Sequence, residues 1–145
     1  MRYPFGSPVI DTAARLLAPL VMLFAVYVVA HGHESPGGGF QGGALFAGGL
    51  ILIKLVRGNS EGWEVGAGAA VVLACSGVLI FGGIGVAAVL AGGTFLDYGA
   101  IGLLADPVSE RVLWTTGVEI GVALTVTGVI LVIFDALAAW GEAED

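Results

Sequence analysis

The sequence has 145 residues, of which 57% are hydrophobic and 12% charged, and its mean hydropathy is +0.98. This composition excludes an ordinary water-soluble domain, which could not cover so much apolar surface, and it predicts an integral membrane protein. The formal net charge of −7 is opposite to that of a nucleic-acid-binding surface, and one cysteine, Cys75, excludes an intrachain disulfide framework or a cysteine-ligated cluster.

Four apolar stretches along the chain are long enough to cross a bilayer, which takes roughly 20 helical residues. Each span must close its own backbone hydrogen bonds in hydrocarbon, and no alternating pattern typical of barrel strands occurs. The predicted fold class is therefore an all-α integral membrane protein, a single four-helix domain over residues 1–145. The predicted spans are residues 12–30, 40–56, 65–91 and 112–134.

The basic residues divide unevenly between the two ends of the predicted spans. If both termini and the 57–64 link lie on one side, only Arg111 lies opposite. Because Lys and Arg are enriched in cytoplasmic loops, we expect cytoplasmic N- and C-termini and an outward-facing loop at 31–39. An alternative is that the first span, which ends in Val28-Val29-Ala30, is a cleaved signal peptide. The basic residues placed inside are Arg2, Arg15, Lys54 and Arg57.

Small residues recur four positions apart in the second and fourth spans. This spacing places them on one helix face and lets another helix backbone approach closely. Each glycine inside a helix costs about 1 kcal/mol relative to alanine, so these four helices alone would form a poorly specified bundle. We therefore expect the partner helices to belong largely to other chains. The pairs are Gly38 and Gly42, Gly39 and Gly43, Ala44 and Gly48, and Gly117 and Gly121.

The link between the first two spans, HGHESPGGGFQGG at residues 31–43, concentrates special backbone residues. Pro36 fixes one φ angle, and the glycines that follow, Gly37 to Gly39, can adopt positive φ values. We expect a turn that dips toward the membrane, covered by a neighbouring subunit or lining a wet cavity. Phe40 is then the first large side chain of the second span and is predicted to anchor it.

The same link carries three titratable residues, His31, His33 and Glu34. Histidine changes charge near neutral pH, so one interpretation is a proton relay at the outer mouth, and the other is hydration of the loop. As metal ligands the three would be incomplete, because the chain has no further histidine to complete a zinc site. No metal or other cofactor is predicted.

Glu119 lies inside the fourth predicted span, with Thr115 one turn before it. An ionisable residue inside the bilayer is costly and marks an ion path by default, so Glu119 is a candidate proton carrier or cation ligand. The alternative is a glutamate that joins this helix to another subunit. Lys54 is a further ion-path candidate, although it lies near the inner end of its span, where a long side chain can reach the interface.

The run from Gly32 to Gly43 resembles the GH-x-x-PGGGF-x-GG signature of the B subunit of the Mrp (also Mnh or Sha) multisubunit cation:proton antiporters. The segment Glu119-Ile120-Gly121-Val122 is similar to that family's second recurring feature, and the length and four spans agree. Glu34 departs from the small polar residue, often asparagine, associated with its position.

The resemblance implies an accessory, non-enzymatic subunit in a complex of roughly six or seven different chains in a prokaryotic plasma membrane. That complex would exchange cytoplasmic Na⁺ for external protons. Three alternatives stay open: a B-like subunit of a membrane-bound hydrogenase-type complex, a structural tether with no ion route, and a membrane-embedded metalloenzyme using the loop residues and Glu119. Membrane lipid and the other subunits are the expected partners, and nucleic acid is not.

Overall fold

A computed structural model describes residues 8–32, 37–57 and 65–143 of the chain. It contains four long helices, each apolar enough to cross a membrane, and no strand among these residues. The all-α, four-span prediction is confirmed. The helices are α1 (Pro8–Ala30), α2 (Gly39–Arg57), α3 (Ala67–Leu90) and α4 (Pro107–Ala143), and a short 3₁₀ helix, η1 (Tyr98–Ala100), precedes α4.

Helix α4 extends beyond the predicted span at both ends. Its start is capped by Asp106, whose carboxylate accepts bonds from the Ser109 amide at 3.0 Å and the Ser109 hydroxyl at 2.6 Å. Pro107 occupies the first helical position, where a missing N–H costs nothing. The predicted span begins after this turn, at residue 112, because the charged residues Glu110 and Arg111 lie between them.

The helices form one layer in the spatial order α1, α2, α4, α3. Helix α2 packs against both α1 and α4, α1 makes a smaller contact with α4, and among the described elements α3 packs against α4 and η1. Among the described residues, α2 and α3 make no contact, although they are consecutive in the chain. The centre of the protein is therefore the pairing of α2 with α4.

Glycines on two faces of α2 allow this central position. A Cβ on Gly42 would lie 2.9 Å from the carbonyl oxygen of Ala25 in α1. On the other face, a Cβ on Gly43 would lie 2.6 Å from the carbonyl oxygen of Ala123 in α4. Both distances are shorter than van der Waals contact, so the neighbouring backbones approach to where a side chain would stand. The predicted close packing is confirmed at Gly42 and Gly43, but it is wrong at Gly48, where a Cβ would meet no atom within 4 Å.

The α3–α4 interface uses glycines from both helices in the same way. A Cβ on Gly77 would lie 2.6 Å from the backbone nitrogen of Thr125, and one on Gly121 would lie 2.9 Å from the carbonyl oxygen of Gly77. These glycines, like Gly42 and Gly43, serve contacts within the chain. The expectation that the glycines mainly receive helices of other chains is therefore wrong at these positions.

The link between α3 and α4 folds back over the helix ends. Gly92 (φ 93°) and Gly93 close α3, with the Gly93 amide bonded to Ala88 O at 3.1 Å. The ring of Phe95 then occupies the space beside Gly85, where a Cβ would collide with it, and meets Phe81 edge-on with centroids 6.1 Å apart. This packing holds η1 against α3 and α4.

A layer one helix thick leaves two broad apolar faces. Many large side chains on these faces are exposed, including Leu79 at 73% and Leu23 at 69%. A groove of about 360 Å³ is lined by residues of all four helices, among them Val29, Phe46 and Leu73. Because these faces need apolar surroundings, the layer fits a membrane, and lipid or other membrane helices would cover it.

Candidate functional site at Glu119

Glycines at the end of α1 and at the start of α2 lie beside Glu119. A Cβ on Gly32 would collide with Glu119 Oε2 and lie 2.7 Å from Cδ, and a Cβ on Gly38 would lie 3.8 Å from Oε1. Gly39 packs against the backbone of Glu119, because its Cβ would lie 2.9 Å from the carbonyl carbon. We call Gly32, Gly38 and Gly39 the glycine cradle. Three glycines of the glycine-rich segment and the acidic residue of the fourth span, two separate features of the sequence, thus lie together.

Backbone conformation explains why glycine stands at Gly38. Its φ of 127° lies in the region that side chains rarely adopt, and its carbonyl accepts the first bond of α2, from Gly42 N at 3.0 Å. At the other side of the turn, the Gly32 amide donates to Val29 O at 3.3 Å. The cradle therefore joins the end of α1 to the start of α2 directly beside the Glu119 carboxyl group.

Tyr98 on η1 is a second titratable group near Glu119. Burial raises the pKa of Tyr98 above its ordinary value of 10.0, and the negative charge of Glu119 raises it further. Sequence analysis missed Tyr98, because a single tyrosine in a long link carries no signal of its position.

A buried carboxylate holds the link that carries Tyr98. Glu110, only 3% exposed, accepts a bond from the Leu103 amide at 2.8 Å and a longer one from Trp114 Nε1 at 3.4 Å. These bonds are satisfied within the chain, so Glu110 is a structural acceptor.

The other loop candidates are placed only in part. His31 is exposed, its ring stacks on Tyr27 with centroids 4.2 Å apart, and its Nδ1 lies 3.2 Å from Tyr27 O. His33, Glu34 and Pro36 lie outside the described residues. Within the described ranges no three His, Cys, Asp or Glu side chains come together as a metal site.

The remaining candidates lie on α2 and α4. Gly37 directly precedes the cradle, and Phe40 in the first turn of α2 is 64% exposed. Thr115 lies one turn before Glu119 and is partly buried.

Lys54 is not part of the Glu119 site. Its ammonium donates to both carboxylate oxygens of Asp135 on α4, at 2.7 and 2.9 Å. Sequence analysis missed Asp135, which follows the predicted fourth span directly. Asp135 could have been recognised as a partner of Lys54 because the two charges are opposite and lie near the same end of their predicted spans.

The fold defines a multi-pass membrane protein with an ionisable site at one end of its two central helices. The family described as a domain related to the MnhB subunit of Na⁺/H⁺ antiporters matches residues 9–132. The chain belongs to this family.

Individual relatives match over shorter segments. A B-type subunit of a Na⁺/H⁺ antiporter from Bacillus subtilis is 36% identical over 47 residues, which is 32% of this chain and 33% of the relative. A putative antiporter subunit mnhB2 of Staphylococcus aureus is 38% identical over 53 residues, 37% of this chain and 38% of the relative. An uncharacterised protein of Methanocaldococcus jannaschii is 41% identical over 58 residues, 39% of this chain and 22% of the relative. The matched segments thus span less than two-fifths of the relatives' length.

Proposed function

We propose that the chain is an accessory subunit of a multisubunit Na⁺/H⁺ antiporter in a prokaryotic cell membrane. In this proposal it works within a complex of roughly six or seven different chains that exchanges cytoplasmic Na⁺ for external protons. It is a transport component and not an enzyme. Family membership and the names of the two antiporter relatives support the assignment.

The observation that carries a direct role in ion exchange is the glycine cradle around Glu119. A carboxyl group can bind a proton or a monovalent cation, and a defined enclosure fixes where that ion is held. The enclosure is formed by the ends of two spans, so a movement of α1 against α2 would change access to the carboxyl group. The charge of Glu119 also acts on Tyr98, in a third segment of the chain.

The proposed orientation places the N- and C-termini in the cytoplasm. The cradle then faces outward and the Lys54–Asp135 pair lies toward the inside. Reporter fusions at the C-terminus and within the 92–106 link test this arrangement. Cytoplasmic signal at the terminus and external signal at the link are expected, and the reverse pattern would overturn the orientation.

Antiport by the complete complex in inverted vesicles tests the role of Glu119. Glu119→Gln keeps the size and polarity of the side chain but removes the negative charge, so antiport should fall strongly at unchanged complex yield. Glu110→Gln is the matched control, because glutamine retains the oxygen that accepts the Leu103 amide. Full antiport by Glu119→Gln would leave a structural tether as the better interpretation of the chain.

Phe40 tests the assembly role separately. Its ring is exposed on the first turn of α2, so truncation removes little packing within the chain. Phe40→Ala should lower the amount of complete complex recovered in mild detergent while the chain itself still inserts. Normal recovery of the complex would show that the partner subunits do not use this ring.

A further inference from the structure

The ion pair of Lys54 and Asp135 joins the two central helices at the end opposite to Glu119. The residues are 81 positions apart, and their side chains are 16% and 24% exposed. Asp135 follows Glu119 by sixteen residues in α4, which is about 24 Å of helix. The pair is thus a separate ionisable cluster, and the function proposed for Glu119 does not use it.

The α2–α4 interface between the two clusters is packed and its polar group is already bonded. The buried hydroxyl of Thr127 donates to Gly43 O at 3.0 Å. One turn further along each helix, Ala47 and Leu131 have no exposed surface. In the described part of this interface, no titratable side chain bridges the distance from Glu119 to Asp135. An ion bound at Glu119 therefore has no side-chain relay to Lys54 along α2 and α4.

The two side chains compensate each other's charge. Each charge lies in a helix that crosses the membrane, where a lone charge is costly, and the two are joined by two short bonds. Loss of either side chain would leave the other charge without its partner. Among the side chains that the structure describes, the other charged groups at this end are Asp11 and Arg15 of α1, which pair with each other at 3.1 Å. Helix α3 contains no charged residue.

We infer that Lys54 and Asp135 are positioning residues that lock α2 onto α4 and carry no transported ion. The lock fixes the central pair of helices at the end opposite to the glycine cradle. Lys54 thus has a structural role, and not the role in an ion path that its sequence position suggested. The inference rests on the proposed function only in that antiport is the activity measured.

A double-replacement series in the complete complex tests the lock. Lys54→Met and Asp135→Leu alone each leave one charge without its partner, so the yield of assembled complex should fall several-fold. The double variant Lys54→Met/Asp135→Leu removes both charges and should recover yield, antiport and an unchanged pH profile of antiport. The swapped variant Lys54→Asp/Asp135→Lys should recover assembly as well, because it restores the pair. Glu119→Gln is measured in parallel.

The outcomes separate the lock from an ion route. If the double variant assembles but loses antiport or shifts its pH profile, the pair takes part in ion transfer and the inference is wrong. The lock is also overturned if both single variants assemble normally. It is overturned as well if neither the double variant nor the swapped variant recovers assembly. Loss of antiport in Glu119→Gln alone supports the proposed function whatever the pair does. Unchanged antiport in that variant removes the proposed role of Glu119 without touching the inference.

Discussion

Gly43 and Gly48 offer a matched pair of alanine substitutions within α2. A Cβ on Gly43 would lie 2.6 Å from the carbonyl oxygen of Ala123 and 2.9 Å from its Cα, whereas one on Gly48 would meet no atom within 4 Å. Gly43→Ala therefore forces α2 away from α4. Gly48→Ala changes only the freedom of the backbone and the helix propensity.

Two energy terms set the expected difference in stability. Replacing a helical glycine by alanine stabilises by about 1 kcal/mol, a gain common to both variants. Overpacking typically costs about 1–3 kcal/mol and applies only at Gly43, where the helices must separate by roughly 1 Å to regain van der Waals contact. Separation also weakens the bond from Thr127 to Gly43 O, and such bonds average about 0.6 kcal/mol in membrane proteins. Gly43→Ala should thus be less stable than Gly48→Ala by about 1.5–3.5 kcal/mol.

The assay is reversible unfolding of each variant in mixed micelles, followed by circular dichroism as a denaturing detergent is added. Gly48→Ala should unfold at a higher detergent fraction than the unsubstituted chain, and Gly43→Ala at a lower one. Equal midpoints for the two variants would refute the close approach of α2 to α4, and with it the central position of that helix pair.

Two further predictions concern the cradle and the start of α4. Gly32→Ala places a methyl group against the Glu119 carboxyl and should reduce antiport by the complete complex. Gly66→Ala is the control, because its methyl group meets open space and should leave antiport unchanged. Equal antiport by the two variants would contradict the cradle. The Ser109 hydroxyl and amide lower the pKa of Asp106 below 3.8, so the stability that it gives α4 is present above that pH and is lost as the pH falls through the lowered pKa. The measurement is the hydrogen-exchange rate of the Ser109 amide in the unsubstituted chain, divided at each pH by the rate in Asp106→Asn. This ratio should rise only in the acid range, and a ratio that stays constant with pH would contradict the cap.

The four spans could be predicted because hydrocarbon imposes one rule, internal closure of backbone hydrogen bonds, on every segment that crosses it. The meeting of the loop with Glu119 was also within reach, since both lie at the same end of predicted spans. Which helix each glycine faces was not, because four-residue spacing defines a face but not its neighbour. Gly42 and Gly43 are adjacent in sequence and receive different helices.

Most of the contacts that the sequence did not predict join residues that are distant in sequence. Asp135 is recognisable as the counter-charge of Lys54 only once α2 and α4 are known to be neighbours. The link that carries Tyr98 is held by Phe95, which packs beside Gly85, a contact between a link and the helix before it. Neither contact follows from periodicity, which describes one element at a time.

The spatial order of the helices has a consequence for biosynthesis. Lys54 leaves the ribosome 81 residues before Asp135, and α3 is made in between, yet α3 occupies the edge of the layer. At a typical 5–20 residues per second, roughly 4–16 s pass before the counter-charge exists. During that interval the ammonium of Lys54 lacks the carboxylate of Asp135. We expect lipid headgroups or the insertion machinery to compensate its charge until translation of α4 is complete.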